Sequence, residues 1–444
     1  TESLKANTTA NLNVAVGLCA LYDNTTGANN TSVGSCSLAN NTTADGNSAL
    51  GKGALETNTT GASNVALGQD ALNDNTTAND NTGLGFRALC ENTTGCQNTA
   101  VGNSTMRQNQ TGDANTAVGY RALDNNTADN NTAVGIDALR TNTSGAQNTA
   151  VGRLSLDANT TGAENTATGN SALGANTTGG NNSAFGSSAL VANTTGTSNA
   201  AVGIEALSAN TTGDDNTAVG QCALKVNTTS HDNTAVGSYA LQDNTSGTQN
   251  TAIGIQAMRY GTTGNYNVAL GAFTLGASDV NTGDHNIAIG RKAMFDNTSG
   301  TENIAIGSTA LESNTSGAQN VAIGCSSLDA NTTANHSTGV GWCALTDNTT
   351  GCQNTAVGSN SLSNTTTGFN NTAAGYTAGL DLTTGDNNLL LGFCAGRVNS
   401  PSGKLQTQNN QIVLGDNSIT DLWCADTSIS SSDQRDKTDV EDFN

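Results

Sequence analysis

Apolar residues along the chain come in runs of three to five, separated by Asn, Thr and Gly. One segment, N-T-A-V-G, recurs, for example at Asn115 to Gly119 and at Asn148 to Gly152. Its final Gly, here called the anchor Gly, occurs 24 times from Gly17 to Gly415, and 20 of the 23 intervals are 17 residues long. The other intervals are 16, 19 and 23 residues. A fixed period of this length indicates a repeat protein with one structural unit per period.

Each position of the repeat keeps its own chemistry. The residue before the anchor is Val, Ile or Leu in 21 of 24 repeats, the second before it is mostly Ala, and the fourth before it is Asn in 22. The fourth residue after the anchor is usually Leu or Met. N-T-T-G commonly follows, as at Asn24 to Gly27. The first and second residues after the anchor vary freely, which is typical of exposed positions.

Such a pattern favours strands over helices, because the apolar runs are short and Gly, Asn and Thr interrupt them. We therefore predict an all-β parallel β-solenoid of about 24 rungs, each with about two short strands, in which equal positions stack at about 4.8 Å. We expect the Val and Leu columns to form the core and the Asn column to form an amide ladder. The Ala column would leave room for another sheet or another chain.

The composition agrees with a solenoid and disagrees with a conventional globular core. The chain contains 63 Asn and 52 Gly but only one Pro and 3% aromatic residues. Collagen is excluded, because Gly does not recur every third residue. A 17-residue rung encloses few large side chains, and a single chain would leave a long apolar face in water. We therefore predict a homotrimer that closes around the long axis.

The net charge of −21, from 36 acidic and 15 basic residues, argues against nucleic-acid binding. No run of eighteen apolar residues predicts a membrane span. The chain lacks an initiator Met, and Leu4 and Asn7 keep the phase of the repeat. We therefore expect the repeat to extend upstream of Thr1.

The N-T-A-V-G and N-V-A-I-G units resemble the head repeats of trimeric autotransporter adhesins, which carry N-S-V-A-I-G in a shorter rung. The resemblance covers nearly all of residues 1 to 420. It implies a left-handed parallel β-roll that trimerises along its axis. The 17-residue period and the inserted N-T-T-G depart from that family's pattern.

The periodicity stops after Gly415, and the stretch from Ser432 to Val440 contains S-D-Q-R-D-K-T. This resembles the start of the endosialidase-type intramolecular chaperone domain of phage tailspikes and tail fibres, which opens with S-D-x-R-x-K-T. The resemblance implies self-cleavage between Ser432 and Asp433, with Ser432 as nucleophile and Lys437 as base. The implied organisation is a shaft over 1–415, a transition segment over 416–431, and the truncated start of a chaperone-like domain over 432–444.

Other candidate sites are weaker. The histidines, His231, His285 and His336, have no second ligand at metal spacing, so we expect polar turn residues. The acidic turn residues could bind Ca²⁺ or be solvated, and no ligand loop is complete. We expect no metal and no cofactor. The acidic residues concerned are Asp214, Asp215, Asp284 and Asp386.

Cysteine, sequon and aromatic patterns each leave two interpretations. Cys19 and Cys36 should stack in adjacent rungs, and Cys90 and Cys96 share a rung, so either pair could form a disulfide. Free, partly buried thiols are the preferred interpretation. The N-T-T and N-T-S triplets are glycosylation sequons, yet we expect their Asn and Thr to shape a turn. Aromatic residues at the variable positions could contact glycans or pack between chains. These are Phe86, Tyr120, Tyr239, Trp342 and Tyr376.

These observations favour a structural protein, the shaft of a viral tail fibre of the phage type, located in the virion. Its partners would be two further copies of itself, other fibre or virion components, and a glycan receptor on the host surface. The alternatives are a trimeric adhesin on a bacterial cell surface and an ice-binding solenoid, which would need a flat Thr-x-Thr face. An enzyme is not supported, because no nucleophile, base and orienting group recur in phase; self-cleavage would occur once, in the precursor only.

Overall fold

The computed structural model describes residues 2–421, and these form one parallel β-solenoid. The repeat places one three-residue strand immediately before each anchor Gly, and all 24 strands belong to a single sheet. The strands are β1 Val14–Val16, β2 Thr31–Val33, β3 Ser48–Leu50, β4 Val65–Leu67, β5 Thr82–Leu84, β6 Thr99–Val101, β7 Thr116–Val118, β8 Thr132–Val134, β9 Thr149–Val151, β10 Thr166–Thr168, β11 Ser183–Phe185, β12 Ala200–Val202, β13 Thr217–Val219, β14 Thr234–Val236, β15 Thr251–Ile253, β16 Val268–Leu270, β17 Ile287–Ile289, β18 Ile304–Ile306, β19 Val321–Ile323, β20 Thr338–Val340, β21 Thr355–Val357, β22 Thr372–Ala374, β23 Leu389–Leu391 and β24 Ile412–Leu414.

Each strand pairs in parallel with the strands of the preceding and the following rung. Thr166 pairs with Ser183 one 17-residue period later. The rungs of irregular length keep the same register, because Thr116 pairs with Thr132, Val268 with Ile287 and Leu389 with Ile412. The solenoid therefore absorbs missing or extra residues in its turns and leaves the sheet undisturbed.

The prediction of a parallel β-solenoid with one rung per period is confirmed, but the expected number of strands per rung is wrong. Each described rung contains one strand where about two were expected. The remaining residues form turns that still hydrogen-bond between rungs; the Leu21 N–H, for example, donates to Ser37 O at 3.1 Å. Stacking of turns therefore supplies much of the inter-rung bonding that a second strand would have provided.

The core consists of Ala and Leu columns, and the expectation that the Val column also lies inside is wrong. Ala117, in the middle of β7, and Leu123, four residues after the anchor, have no exposed surface, whereas Val118 is 39% exposed. Successive side chains of a strand alternate between its two faces, so a buried Ala places Val outside. The interior is narrow: a Cβ added to Gly83, which replaces this Ala in β5, would lie 3.4 Å from Leu72 Cδ1.

The Ala column therefore lies beneath its own sheet and does not face another chain, contrary to expectation. Its small side chain matches the Leu side chains that fill the rung from the opposite segment. Leu123 itself adopts a left-handed backbone conformation, with φ of 55°. This conformation is unfavourable for Leu, and it recurs in the Leu column along the solenoid.

The anchor Gly is required by both conformation and space. Gly220 has φ of +134°, and a Cβ placed there would lie 2.5 Å from the carbonyl oxygen of Gly237 in the next rung. No L-residue fits this corner without moving the neighbouring rung. The anchor column therefore fixes where each strand ends.

Two columns of buried Asn connect the rungs. In the first, seven residues after the anchor, Asn159 Nδ2 donates to Asn142 Oδ1 at 2.8 Å and to Gly162 O at 2.9 Å. In the second, four residues before the anchor, the Asn182 backbone N–H donates to Asn165 Oδ1 at 3.0 Å. The predicted amide ladder is thus confirmed, and it provides partners for buried polar groups that would otherwise be unfavourable.

Candidate interaction face

The outward side of the sheet runs the whole length of the described solenoid. The first and third residues of every strand point outward, because the middle residue faces the core; it is buried in every strand except β1, where Ala15 is partly buried. We call these 48 positions, two on each of 24 strands, the sheet face. Exposure of the third residue reaches 58% at Val16 and 42% at both Phe185 and Ile253.

The sheet face contains no charged side chain and no amide. Its first positions are Thr, Ser, Ala or aliphatic residues, and its third positions are aliphatic except Thr168, Phe185 and Ala374. In a chain with a net charge of −21, such a long neutral and largely apolar surface is a candidate interaction face. Without a titratable group, it can bind only by burying surface and by hydrogen bonds from its Thr and Ser hydroxyls.

The basic side chains lie instead on the segment that follows each anchor Gly. Eleven of the thirteen Lys and Arg residues in the described chain lie within five residues after an anchor. Several join neighbouring rungs through ion pairs: Arg107 Nε lies 3.2 Å from Asp124 Oδ1, and Arg140 Nε lies 3.2 Å from Asp157 Oδ1. Partial burial raises the pKa of the Asp157 carboxyl, while Arg140 acts in the opposite direction. This segment is therefore the hydrated side of the rung.

The acidic turn residues considered for Ca²⁺ have a structural role in the described chain. Oδ1 of Asp214, Asp284 and Asp386 accepts the backbone N–H of the equivalent residue in the preceding rung, at 2.6 Å from Thr197, 2.6 Å from Asn265 and 3.0 Å from Phe369. Asp215 follows in a left-handed conformation. Within residues 2–421, no three His, Cys, Asp or Glu side chains lie close enough together to share a metal ion.

The N-T-T sequons are turn elements, as expected. Their Asn is the first amide column: Asn24, Asn159 and Asn210 have no exposed surface. The following Thr also joins the rungs, since Thr160 Oγ1 donates to Thr177 O at 3.0 Å. A folded chain therefore offers no access to the sequon Asn of these turns.

Cysteines and aromatic residues are distributed without forming a common centre. The nine cysteines in the described range are free thiols, so the two suggested disulfides, Cys19 with Cys36 and Cys90 with Cys96, do not form. His285 lies in a turn, as expected, and its ring stacks on that of Tyr266 with centroids 4.9 Å apart.

Four of the five aromatic side chains considered for glycan contact are exposed, and Tyr239 is half-buried. Tyr120, Trp342 and Tyr376 are 49 to 56% exposed. Tyr376 stacks on Phe393 of the next rung at 5.8 Å. Tyr120, Trp342 and Tyr376 each follow an anchor Gly directly and therefore border the sheet face.

An ice-binding face is not what the strands present. Of the 24 described strands, only β10 has Thr at both outward positions, Thr166 and Thr168. The other strands that start with Thr end with an aliphatic residue, apart from the Ala of β22. The Thr residues do form an outward column, however, whereas the sequence pattern suggested that they lie in turns only.

The residues proposed for self-cleavage, Ser432, Asp433 and Lys437, lie outside the described residues, as does most of the transition segment 416–431. The described part includes no helix suited to crossing a bilayer.

No family model matches this chain, and no curated protein matches it either. The sequence pattern pointed to the anchor, Asn and Leu columns, but it missed the sheet face. The signal was present, because charge and amide are absent from two positions in all 24 repeats while the positions after the anchor vary freely.

Proposed function

We propose that residues 1–415 form the shaft of a viral tail fibre, in which three parallel copies of the chain meet through their sheet faces. The observation that carries the proposal is the uncharged sheet face, which runs the length of the solenoid on a strongly acidic protein. A rigid, extended and repetitive rod suits a spacer that holds a receptor-binding part away from a particle.

A further copy of the same chain is the partner that fits this face best. The sheet face repeats once per rung, at about 4.8 Å, over 24 strands. Only a surface with the same repeat can contact every rung in the same way. With a length of about 115 Å and a width of about 10 Å, the face offers on the order of 1,000 Å² per chain, which is in the range of stable interfaces.

Closure around a three-fold axis accounts for the distribution of charge within each rung. The sheet faces would lie at the axis, whereas the ion-paired segment with Arg107 and Arg140 and the acidic turns with Asp214 would stay in water. The resemblance to adhesin heads implies both a left-handed coil and a trimer. The same arrangement would serve a bacterial adhesin, and the sequence encoded beyond Asn444 distinguishes the two, since an adhesin continues into a membrane anchor.

The test is the mass of the particle in native buffer, measured by light scattering. The expected mass is three times the 44.4 kDa of one chain. Val118→Asp places a charge on the sheet face and should shift the mass towards a single chain. Asn130→Asp adds the same charge at an exposed turn of the following rung and should leave the trimer intact. A single-chain mass for the unmodified protein would refute the proposal.

A further inference from the structure

The sheet face is not uniform along the solenoid. In most strands the first outward residue is Thr, including all of β13–β15 and β20–β22. Between these groups, the four consecutive strands β16–β19 have the sequences V-A-L, I-A-I, I-A-I and V-A-I, so that both outward positions are aliphatic. We call the outward positions of β16–β19 the aliphatic block.

The remaining strands with an aliphatic first position do not form another group of this length. Val14 of β1 and Val65 of β4 are isolated, and Leu389 and Ile412 form a pair in β23 and β24. The four-strand block therefore occurs once along the described face. A position that occurs once can define an alignment, whereas the Thr-first strands are interchangeable.

We propose that the aliphatic block sets the register in which the chains of the fibre align, an inference that rests on the trimer proposed above. When the chains are in register, the block of each chain meets the blocks of the others, and only aliphatic side chains face one another. A slip by two rungs would bring Ile304 and Val321 opposite Thr338 and Thr355 of the neighbouring chain. Each such contact buries a hydroxyl against hydrocarbon and leaves aliphatic surface without an apolar partner.

In the same slip, the T-A-V strands outside the aliphatic block contribute no such penalty. Moving one T-A-V strand onto another exchanges Thr for Thr and Val for Val, as with Thr116 of β7 and Thr149 of β9. The hydrogen bonds of the ladder lie within each chain, so they do not detect the alignment between chains. Register is therefore specified where the outward pattern changes.

The experiment moves the block and asks whether the alignment follows. In a shifted chain, Thr234→Ile and Thr251→Val with Ile304→Thr and Val321→Thr transfer the block from β16–β19 to β14–β17 at constant composition. This chain carries Thr132→Cys and a first affinity tag. It is co-expressed with a chain that keeps the original block and carries Thr166→Cys and a second tag.

Mixed assemblies are isolated through both tags and oxidised, and the linked peptides are identified by mass spectrometry. Strands two rungs apart are separated by about 9.6 Å, which is beyond the reach of a disulfide. A link between positions 132 and 166 therefore reports a slip of two rungs. Parallel samples with Thr166→Cys in both chains report the unslipped alignment.

We expect the 132–166 link to rise at least tenfold over that formed when both chains keep the original block. A matched control makes four exchanges outside the block, Val14→Thr and Val65→Thr with Thr99→Val and Thr149→Val, and should leave the link at its original level. Separation of shifted and original chains into distinct trimers would equally support the inference, because it shows that mismatched blocks are rejected.

Mixed trimers that keep the 166–166 link would overturn the register role while leaving the trimer itself intact. A single-chain mass in light scattering would instead refute the trimer, so the two failures are distinguishable.

Discussion

Asn244 and Asn281 lie on either side of Gly261, and each retains a buried amide atom without a protein hydrogen-bond partner. The unpaired atoms are Asn244 Oδ1 and Asn281 Nδ2. Gly261 occupies the position of the first amide column, which runs without interruption from Asn7 to Asn244. The missing side chain therefore breaks the ladder where the rung of 19 residues follows.

Gly261→Asn should repair this break. Its φ is not in the left-handed region, and the nearest atoms to a new Cβ are Met258 Cε at 3.1 Å and Met258 O at 3.2 Å. Restored hydrogen bonds should stabilise the neighbouring rungs by about 1 kcal/mol, or roughly fivefold in the hydrogen-exchange protection of the Thr245 and Thr262 amides. Gly261→Ala supplies the Cβ without the amide. Equal protection in the two variants would contradict this account.

Relief of left-handed backbone strain should be measurable at Ala114. This exposed residue has φ of 56°, which Gly adopts without a steric penalty. Ala114→Gly should increase local stability by about 0.5 kcal/mol. Ala117→Gly, in the buried middle of β7, should decrease it by about 1 kcal/mol. Hydrogen exchange of the two rungs gives both values, and a loss of stability at Ala114 would argue against the strain.

The Cys90 thiol should react slowly with alkylating reagents. Burial raises its pKa to about 11, with Asp74 and Asp70 adding to the effect. At pH 8 only about one molecule in a thousand would then carry the thiolate, which is the reactive form. Cys325 is exposed and serves as the internal control. Iodoacetamide labelling followed by mass spectrometry should show Cys325 modified first and Cys90 rising steeply with pH; equal rates at pH 8 would be inconsistent with the buried site.

Asp329 should make the solenoid less stable as pH rises. Its Oδ1 is buried without a partner, and burial, then Glu312, raises its pKa above the usual 3.8. The folded state thus binds this proton more tightly than the unfolded state, so the stabilisation is present below about pH 3.8 and lost as pH rises through the raised pKa. Asp329→Asn should therefore raise the urea midpoint at pH 7 and leave it almost unchanged at pH 3. An increase at pH 3 as large as that at pH 7 would rule out titration as the cause.

Maturation can be tested on the full-length gene. We expect the precursor to continue past Asn444 into a chaperone domain of about a hundred residues or more. Ser432 Oγ would attack the carbonyl carbon of the peptide bond to Asp433, and Lys437 would pass the hydroxyl proton to the departing Asp433 amine. Water would then hydrolyse the ester and leave a free carboxyl group on Ser432. The wild-type product should end at Ser432, and Ser432→Ala should stay uncut, as intact-mass measurements would show. A wild-type chain that remains uncut, or a cut at another bond, would disprove the assignment.

The sequence predicted the rung, the amide ladder and the Leu core because these depend on stacking identical positions. It did not predict which way Val118 points. In a strand of three residues, two rules conflict. One places large apolar side chains inside, and the other requires a small Ala in a narrow interior; here the narrow interior decides. It also gave no sign that Leu123 is left-handed, since that conformation depends on the hydrogen bond from its N–H to Ala138 O.

The strand register also has a genetic consequence. Because Thr166 and Ser183 occupy the same place in successive units, a duplication or deletion of 17 codons joins two surfaces that already match. Recombination between the repeats of one gene would thus change the length of the rod without creating a new fold or a new partner surface. Differences in length between related genes should accordingly fall in multiples of 17 codons, and they should be rarest within the codons for β16–β19.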